Sequence, residues 1–142
     1  MITVTVERII EAPLAQVWAI LADFGNIDWI EGPESVEVVG SGVGMIRKLK
    51  IPGIKQPIDE VLEQLDAVNS SLRYSIPKHP VVPFENYNAT ISLSAPSEQR
   101  TAIVWEATFT SEKMSEADAS AIMHGNYSRM LDNLASKLKL SV

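Results

Sequence analysis

The stretch that decides the fold is SEADASAIMHGNYSRMLDNLASKLK, residues 115–139. Within it Ala119, Ile122, Met123, Tyr127, Met130, Leu131, Leu134 and Leu138 recur at helical spacing, so one face of a helix is apolar along its whole length. Ser115, with Asp118 three residues on, has the form of a capping box in which aspartate replaces the usual glutamate. The pattern predicts a helix running to residue 139, about 24 residues and ~36 Å long at the standard rise. Such a helix needs a broad apolar surface to lie against. Gly125 in its middle costs about 1 kcal/mol relative to alanine, which a close approach by a loop, a ligand or a strand would explain.

The remainder of the chain offers that surface. In residues 2–10, Ile2, Val4 and Val6 alternate with Thr3, Thr5 and Glu7, a strand signal. Ala12-Pro13 breaks it, and proline suits the start of a helix because its missing N–H would have no partner there. Val17, Trp18, Ile20 and Leu21 then fall at helical spacing until Asp23–Asn26 end the run. A second short helical turn is predicted around Ile27, Trp29 and Ile30, closed by Gly32-Pro33. Short strands with turn signals between them follow over residues 34–40, 44–51, 57–66, 71–76 and 85–95. A last one carries Ile103, Trp105, Ala107 and Phe109 on one face. Two loops, IPGIKQP (51–57) and PKHPVVPF (77–84), are dense in proline. An unbroken run of strands ahead of a long helix favours an antiparallel sheet and an α+β class.

Bulk composition narrows the function. A chain of 142 residues suits one domain. With no cysteine there can be no disulfide or thiolate metal site, which fits a reducing cytoplasm. His79 and His124 are the only histidines, which argues against a histidine-rich metal centre. The net charge of −6 is spread through the chain and lacks the basic footprint of a nucleic-acid binder. No apolar run approaches the length of a membrane span, and the N-terminus does not read as a signal peptide. No catalytic triad, metal cluster or phosphate loop is present, and no metal or cofactor is expected. Oligomeric state, monomer or homodimer, is not encoded in these patterns.

The order of elements, with particular residues, resembles the START-like helix-grip (SRPBCC) superfamily. Within it the chain is similar to the polyketide cyclase/dehydrase and lipid-transport family, relatives of the birch-pollen allergens and the plant abscisic acid receptors. The carriers are EAPLAQVWAILADFGNIDWI, GSGVGMIRKL, DEVLEQLD, LRYSIP, PFENYNATISL, VWEATF and the final amphipathic helix. The resemblance implies a seven-stranded curved sheet gripping the last helix, two short helices between the first two strands, and an internal pocket for a small hydrophobic molecule. Periodicity alone would equally allow a filled core.

The same match implies site residues. On one strand face Glu60 lies with Ile58, Leu62 and Gln64, while Val61 and Leu65 lie on the other, so alternation leaves its direction open. The family match turns Glu60 inward as part of a polar ligand network. Arg47, on the Met45/Leu49 face, is likewise turned inward, and a buried arginine needs a charge partner such as Glu60. That pair is either the polar end of a ligand site or a structural salt bridge. Tyr87 shares a face with Ala89, Ile91 and Leu93, and the match to NYNAT points it into the cavity; Tyr74 is similar. Trp105 and Phe109 alternate inward and either line the pocket or pack the core. Met123, Tyr127, Met130 and Leu131 are the helix residues facing it, and methionines adapt to varied apolar shapes. Trp29, Leu49, Leu62 and Ile91 complete the ligand-binding set. The two proline-rich loops match the receptors' paired gating loops, and His79 in the second is a latch, a proton donor or an exposed side chain. Two departures count against a hormone receptor: the first loop lacks the serine-glycine-leucine-proline gate, and WIEGPESV offers no anchoring lysine. With no long loop ahead of the sheet, small apolar ligands fit better than large phospholipids.

Three functions are therefore expected. The first is a carrier for a small lipid, polyketide or isoprenoid-like molecule. The second is a cyclase/dehydrase-type enzyme with Glu60 or His79 as acid–base group and Tyr87 polarising a carbonyl. The third is a protein-interaction or stress-related scaffold.

Overall fold

A computed structural model describes residues 1–140. Its elements run β1 (Ile2–Ile10), α1 (Leu14–Ala22), β2 (Ser35–Val39), β3 (Ile46–Lys50), β4 (Ile58–Asp66), β5 (Ser71–Ile76), β6 (Glu85–Ser97), β7 (Arg100–Thr110) and α2 (Glu116–Leu140). The strands form a single antiparallel seven-stranded sheet in the order β1-β7-β6-β5-β4-β3-β2. Strand alternation sets the inner face: Val4 and Val6 of β1, Ala89 and Ile91 of β6, and Trp105, Ala107 and Phe109 of β7 are all buried.

The long helix forms as its spacing predicts. Ser115 caps it, its hydroxyl accepting the Asp118 N–H at 3.1 Å, and Glu116 and Asp118 in the first turn oppose Lys137 and Lys139 in the last, matching the helix dipole. Ala119, Met123, Tyr127, Leu131, Leu134 and Leu138 are buried. Ile122, read as part of the same face, is instead 45 % exposed. Nor does Gly125 mark a close approach: a Cβ there would meet only the Arg129 side chain at 3.4 Å.

The second short helix is not formed. Only α1 lies between β1 and β2; residues 24–30 make separate turns, closed by Asn26 N–H to Asp23 carbonyl and Ile30 N–H to Ile27 carbonyl, both at 2.9 Å. The Asn26 side chain takes the Asp28 N–H at 3.0 Å, the local capture by which asparagine favours turns over helix. Phe24 and Trp29 at either end are buried in the core. A Cβ on Gly25 would lie 2.9 Å from Val38, so the glycine lets edge strand β2 settle on this segment.

Candidate functional site

The β3–β4 ladder brings two charged residues face to face inside the sheet. Arg47 and Glu60 are direct cross-strand partners, and Arg47 Nε donates to Glu60 Oε1 at 2.6 Å. A second guanidinium nitrogen donates to the Phe24 carbonyl at 3.1 Å. The guanidinium carbon lies 3.9 Å from the Phe24 ring centre and 5.4 Å from that of Tyr74, a cation–π arrangement in a desolvated setting. A bulge between Leu62 and Gln64 explains why alternation could not orient Glu60. It shifts the phase, so that Leu62 opposes buried Tyr74 and Leu65, itself 37% exposed at the strand's end, opposes buried Leu72. Residues two apart before the bulge and three apart across it thus share the inner face.

Beyond this pair lies an aromatic interior in which the chain's three tyrosines meet. The Tyr87 hydroxyl is bonded both to the Tyr74 hydroxyl, at 3.3 Å, and to the Tyr127 hydroxyl. Strands β5 and β6 supply the first two and α2 the third, so the contact ties helix to sheet. The Trp105 ring stacks on Tyr127 with centroids 4.3 Å apart, and Trp29 meets Trp105 at 6.0 Å. Burial, reinforced by the Glu60 charge, pushes the Tyr74 phenol well above its ordinary pKa, with Arg47 and the Trp105 indole opposing the shift. Burial likewise raises Tyr127, helped by Tyr74 and Glu60. Both phenols are thus held as neutral hydroxyls that can donate.

Most of the residues expected to contact a ligand are brought into or beside this interior. Trp29, Arg47, Glu60, Leu62, Tyr74, Tyr87, Ile91, Trp105, Met123 and Tyr127 are all buried. Leu49 is buried too but stands outside the main apolar cluster. Met130 is half-buried and lines an open cleft beside Arg129 and Gly32. Side chains fill the interior through the ring contacts above. Five open clefts among the described residues, about 200–340 Å³ in volume, are lined by other residues apart from Trp29, Met130 and His79.

His79 is not an exposed loop side chain. It is buried and joins the two proline-rich loops. Its Nδ1 accepts the Val81 N–H at 3.0 Å. That partner places the ring proton on Nε2, which donates to the Gln56 carbonyl at 2.9 Å. Both nitrogens are therefore engaged with loop backbone. The second loop is also tied to the approach to α2, since Ser111 donates to the Pro83 carbonyl at 2.7 Å. Glu106 and His124 face solvent.

Sequence reasoning missed Phe24, whose ring and carbonyl both hold Arg47, and Gln56, the other half of the loop clasp. Phe24 lies in the LADFGN run that closes α1, and its apolar character beside polar turn residues was the available signal. No signal marks Gln56, because it acts through its backbone. Among the described residues no group of three or more histidine or acidic side chains could hold a metal, and no helix is long and apolar enough to cross a membrane.

The family model described as polyketide cyclase/dehydrase and lipid transport matches residues 1–139. Among solved structures, the protein XoxI from Bacillus cereus superposes with a TM-score of 0.85 at 28% identity, covering 97% of this chain and 96% of that one. Norcoclaurine synthase from Thalictrum flavum, in complex with dopamine and hydroxybenzaldehyde, gives 0.76 at 18% identity over 98% and 86%. The Zhui aromatase/cyclase from Streptomyces sp. R1128 gives 0.76 at 18% over 96% and 93%. The two enzymes share the fold. No curated protein sequence matches the chain.

Proposed function

Because the chain belongs to the polyketide cyclase/dehydrase and lipid-transport family, we propose that it binds a small hydrophobic molecule between the sheet and α2. The observation that carries this reading is the convergence of the three tyrosine hydroxyls beside the Arg47–Glu60 pair, within an otherwise apolar interior. Apolar burial at roughly 25 cal/mol per Å² would drive affinity, and a few fixed polar groups would set orientation. Since side chains occupy the interior, a ligand displaces some of them, and the loops clasped by His79 or the segment carrying Trp29 must give way. A small ligand of lipid, polyketide or isoprenoid type suits that limited space. Titration with a fluorescent fatty acid and a panel of apolar aromatics tests the reading: saturable binding by at least one is expected, and none across the panel contradicts it.

A cyclase/dehydrase-type reaction is the second reading, favoured by one observation. Tyr74 and Tyr127 are neutral donors next to a buried carboxylate, and hydroxyls so placed can polarise a carbonyl. Glu60 would move the proton and Tyr87, bonded to both other hydroxyls, would position the oxygen. His79, whose nitrogens hold the loops, fits a latch better than an acid–base group. Replacing Glu60 with Gln should abolish turnover of the true substrate with binding largely intact, and unchanged turnover would remove Glu60 from the mechanism.

A further inference from the structure

One buried donor of this interior is left unused by its packing. The Trp105 side chain is 1% exposed, and its indole N–H has no hydrogen-bond partner. Its ring stacks on Tyr127 at 4.3 Å, and the Tyr127 hydroxyl leads through that of Tyr87 to that of Tyr74. A buried donor without an acceptor forfeits its hydration for nothing and calls for a reason. Its surroundings are rich in donors. Three phenols carry three hydroxyl protons, and the Tyr74–Tyr87–Tyr127 chain uses two of them. The indole adds a fourth proton, while the Glu60 carboxylate is bonded to Arg47 instead.

We propose that the Trp105 N–H, with the Tyr74 hydroxyl beside it, is the binding point for the carbonyl oxygen of a neutral, planar, mainly apolar ligand such as an aromatic ketone. The proposal rests on the interior being the binding site and names the ligand class it takes. A carbonyl oxygen has two lone pairs and can accept both donors at once. Neutrality follows from the charges. Arg47 is already matched by Glu60 and the Phe24 carbonyl. A ligand carboxylate would therefore be a buried, unpaired charge in the field of Glu60. A flat aromatic ligand suits the site because the surfaces it would pack against are rings, Trp29 and Tyr127 around Trp105 and Phe109 beside Tyr87. Trp29 both lines the open cleft beside α2 and meets the Trp105 ring, so displacing that one indole gives a ligand its route in.

The test compares three probes of similar size on the full chain: 2-acetylnaphthalene, 2-isopropylnaphthalene and 2-naphthoate. The ketone should bind about tenfold more tightly than the hydrocarbon, as one well-made buried hydrogen bond allows, and also more tightly than the carboxylate. Nitrogen–proton correlation spectra should show the Trp105 indole proton moving downfield with the ketone. In Trp105→Phe the ketone's preference should shrink to about twofold or less. Equal affinity for ketone and hydrocarbon in the native chain would overturn the proposal while leaving the interior as an apolar binding site. Failure of all three to bind would take down both. If Trp105→Phe does not fold, the native chain still decides: ketone preference without a downfield indole shift overturns the assignment to Trp105, as a trapped water in the ketone's place would.

Discussion

Two ion pairs stand next to each other on the β3–β4 ladder and share almost nothing but their chemistry. Arg47–Glu60 and Lys48–Asp59 are consecutive cross-strand partners, closed at 2.6 Å and 3.0 Å. Because successive residues of a strand point to opposite faces, the first pair is turned into the sheet and the second out of it. The side chains are 5% and 11% exposed in one and 32% and 31% in the other. The outer pair is solvated and screened. The inner pair has lost its water and relies on Phe24 and its own partner for compensation. Position on the pleat, and not residue type, makes one pair a candidate for orienting a ligand and the other a surface feature.

Mutations sharpen that contrast, and the largest effect falls on the inner pair. Glu60→Leu strands a buried guanidinium and should cost about 3–5 kcal/mol in urea unfolding, with most of the loss recovered on adding Arg47→Met. A single-mutant loss below about 1 kcal/mol would mean that the inner pair is as solvated as the outer one. Next comes Tyr87→Phe, which removes the hydroxyl bonded to both Tyr74 and Tyr127. It should cost about 1–3 kcal/mol by the same measurement, and an unchanged midpoint would show that the tyrosines do not act together. Lys48→Ala on the outer face should cost less than about 1 kcal/mol, and the difference should fade as salt is raised.

The smallest effect belongs to a carboxylate in a surface turn. Asp66, at the β4–β5 turn, accepts the Asn69 side chain at 2.7 Å and its backbone N–H at 3.1 Å. These bonds, the side-chain one first, hold its pKa below the usual value. A depressed folded-state pKa stabilises the fold above the unfolded value, and this is lost as pH falls through the folded one. The gap in urea midpoint between the native chain and Asp66→Ala should therefore close below the ordinary carboxylate range. A gap that stays constant into acid would contradict the turn's role.

Much of the fold was legible because it rests on local periodicity. Alternation places the strands to within a residue or two, and helical spacing places α2 together with its Ser115 cap. Legibility fails where the chain departs from a period or depends on distant partners. The bulge after Leu62 reverses the phase of β4, so the inward turn of Glu60 came from resemblance and not from alternation. The polar turns at Gly25–Asp28 look helical in their apolar spacing but divert backbone hydrogen bonds to the Asn26 side chain. Tyr74 and Tyr87 lie 13 residues apart and Tyr127 a further 40 along, so no window of sequence shows that they meet. His79 reads as a loop residue because its burial depends on a backbone carbonyl in another loop.

If the interior beneath α2 takes up a small hydrophobic molecule, as proposed, that molecule should travel with the protein. Native mass spectrometry of the gently purified chain, followed by denaturation and extraction, tests it most directly. A bound mass is expected, released when the protein unfolds and held more weakly in Tyr87→Phe. The bare 142-residue chain alone, still bare after incubation with a broad mixture of apolar compounds, would contradict it.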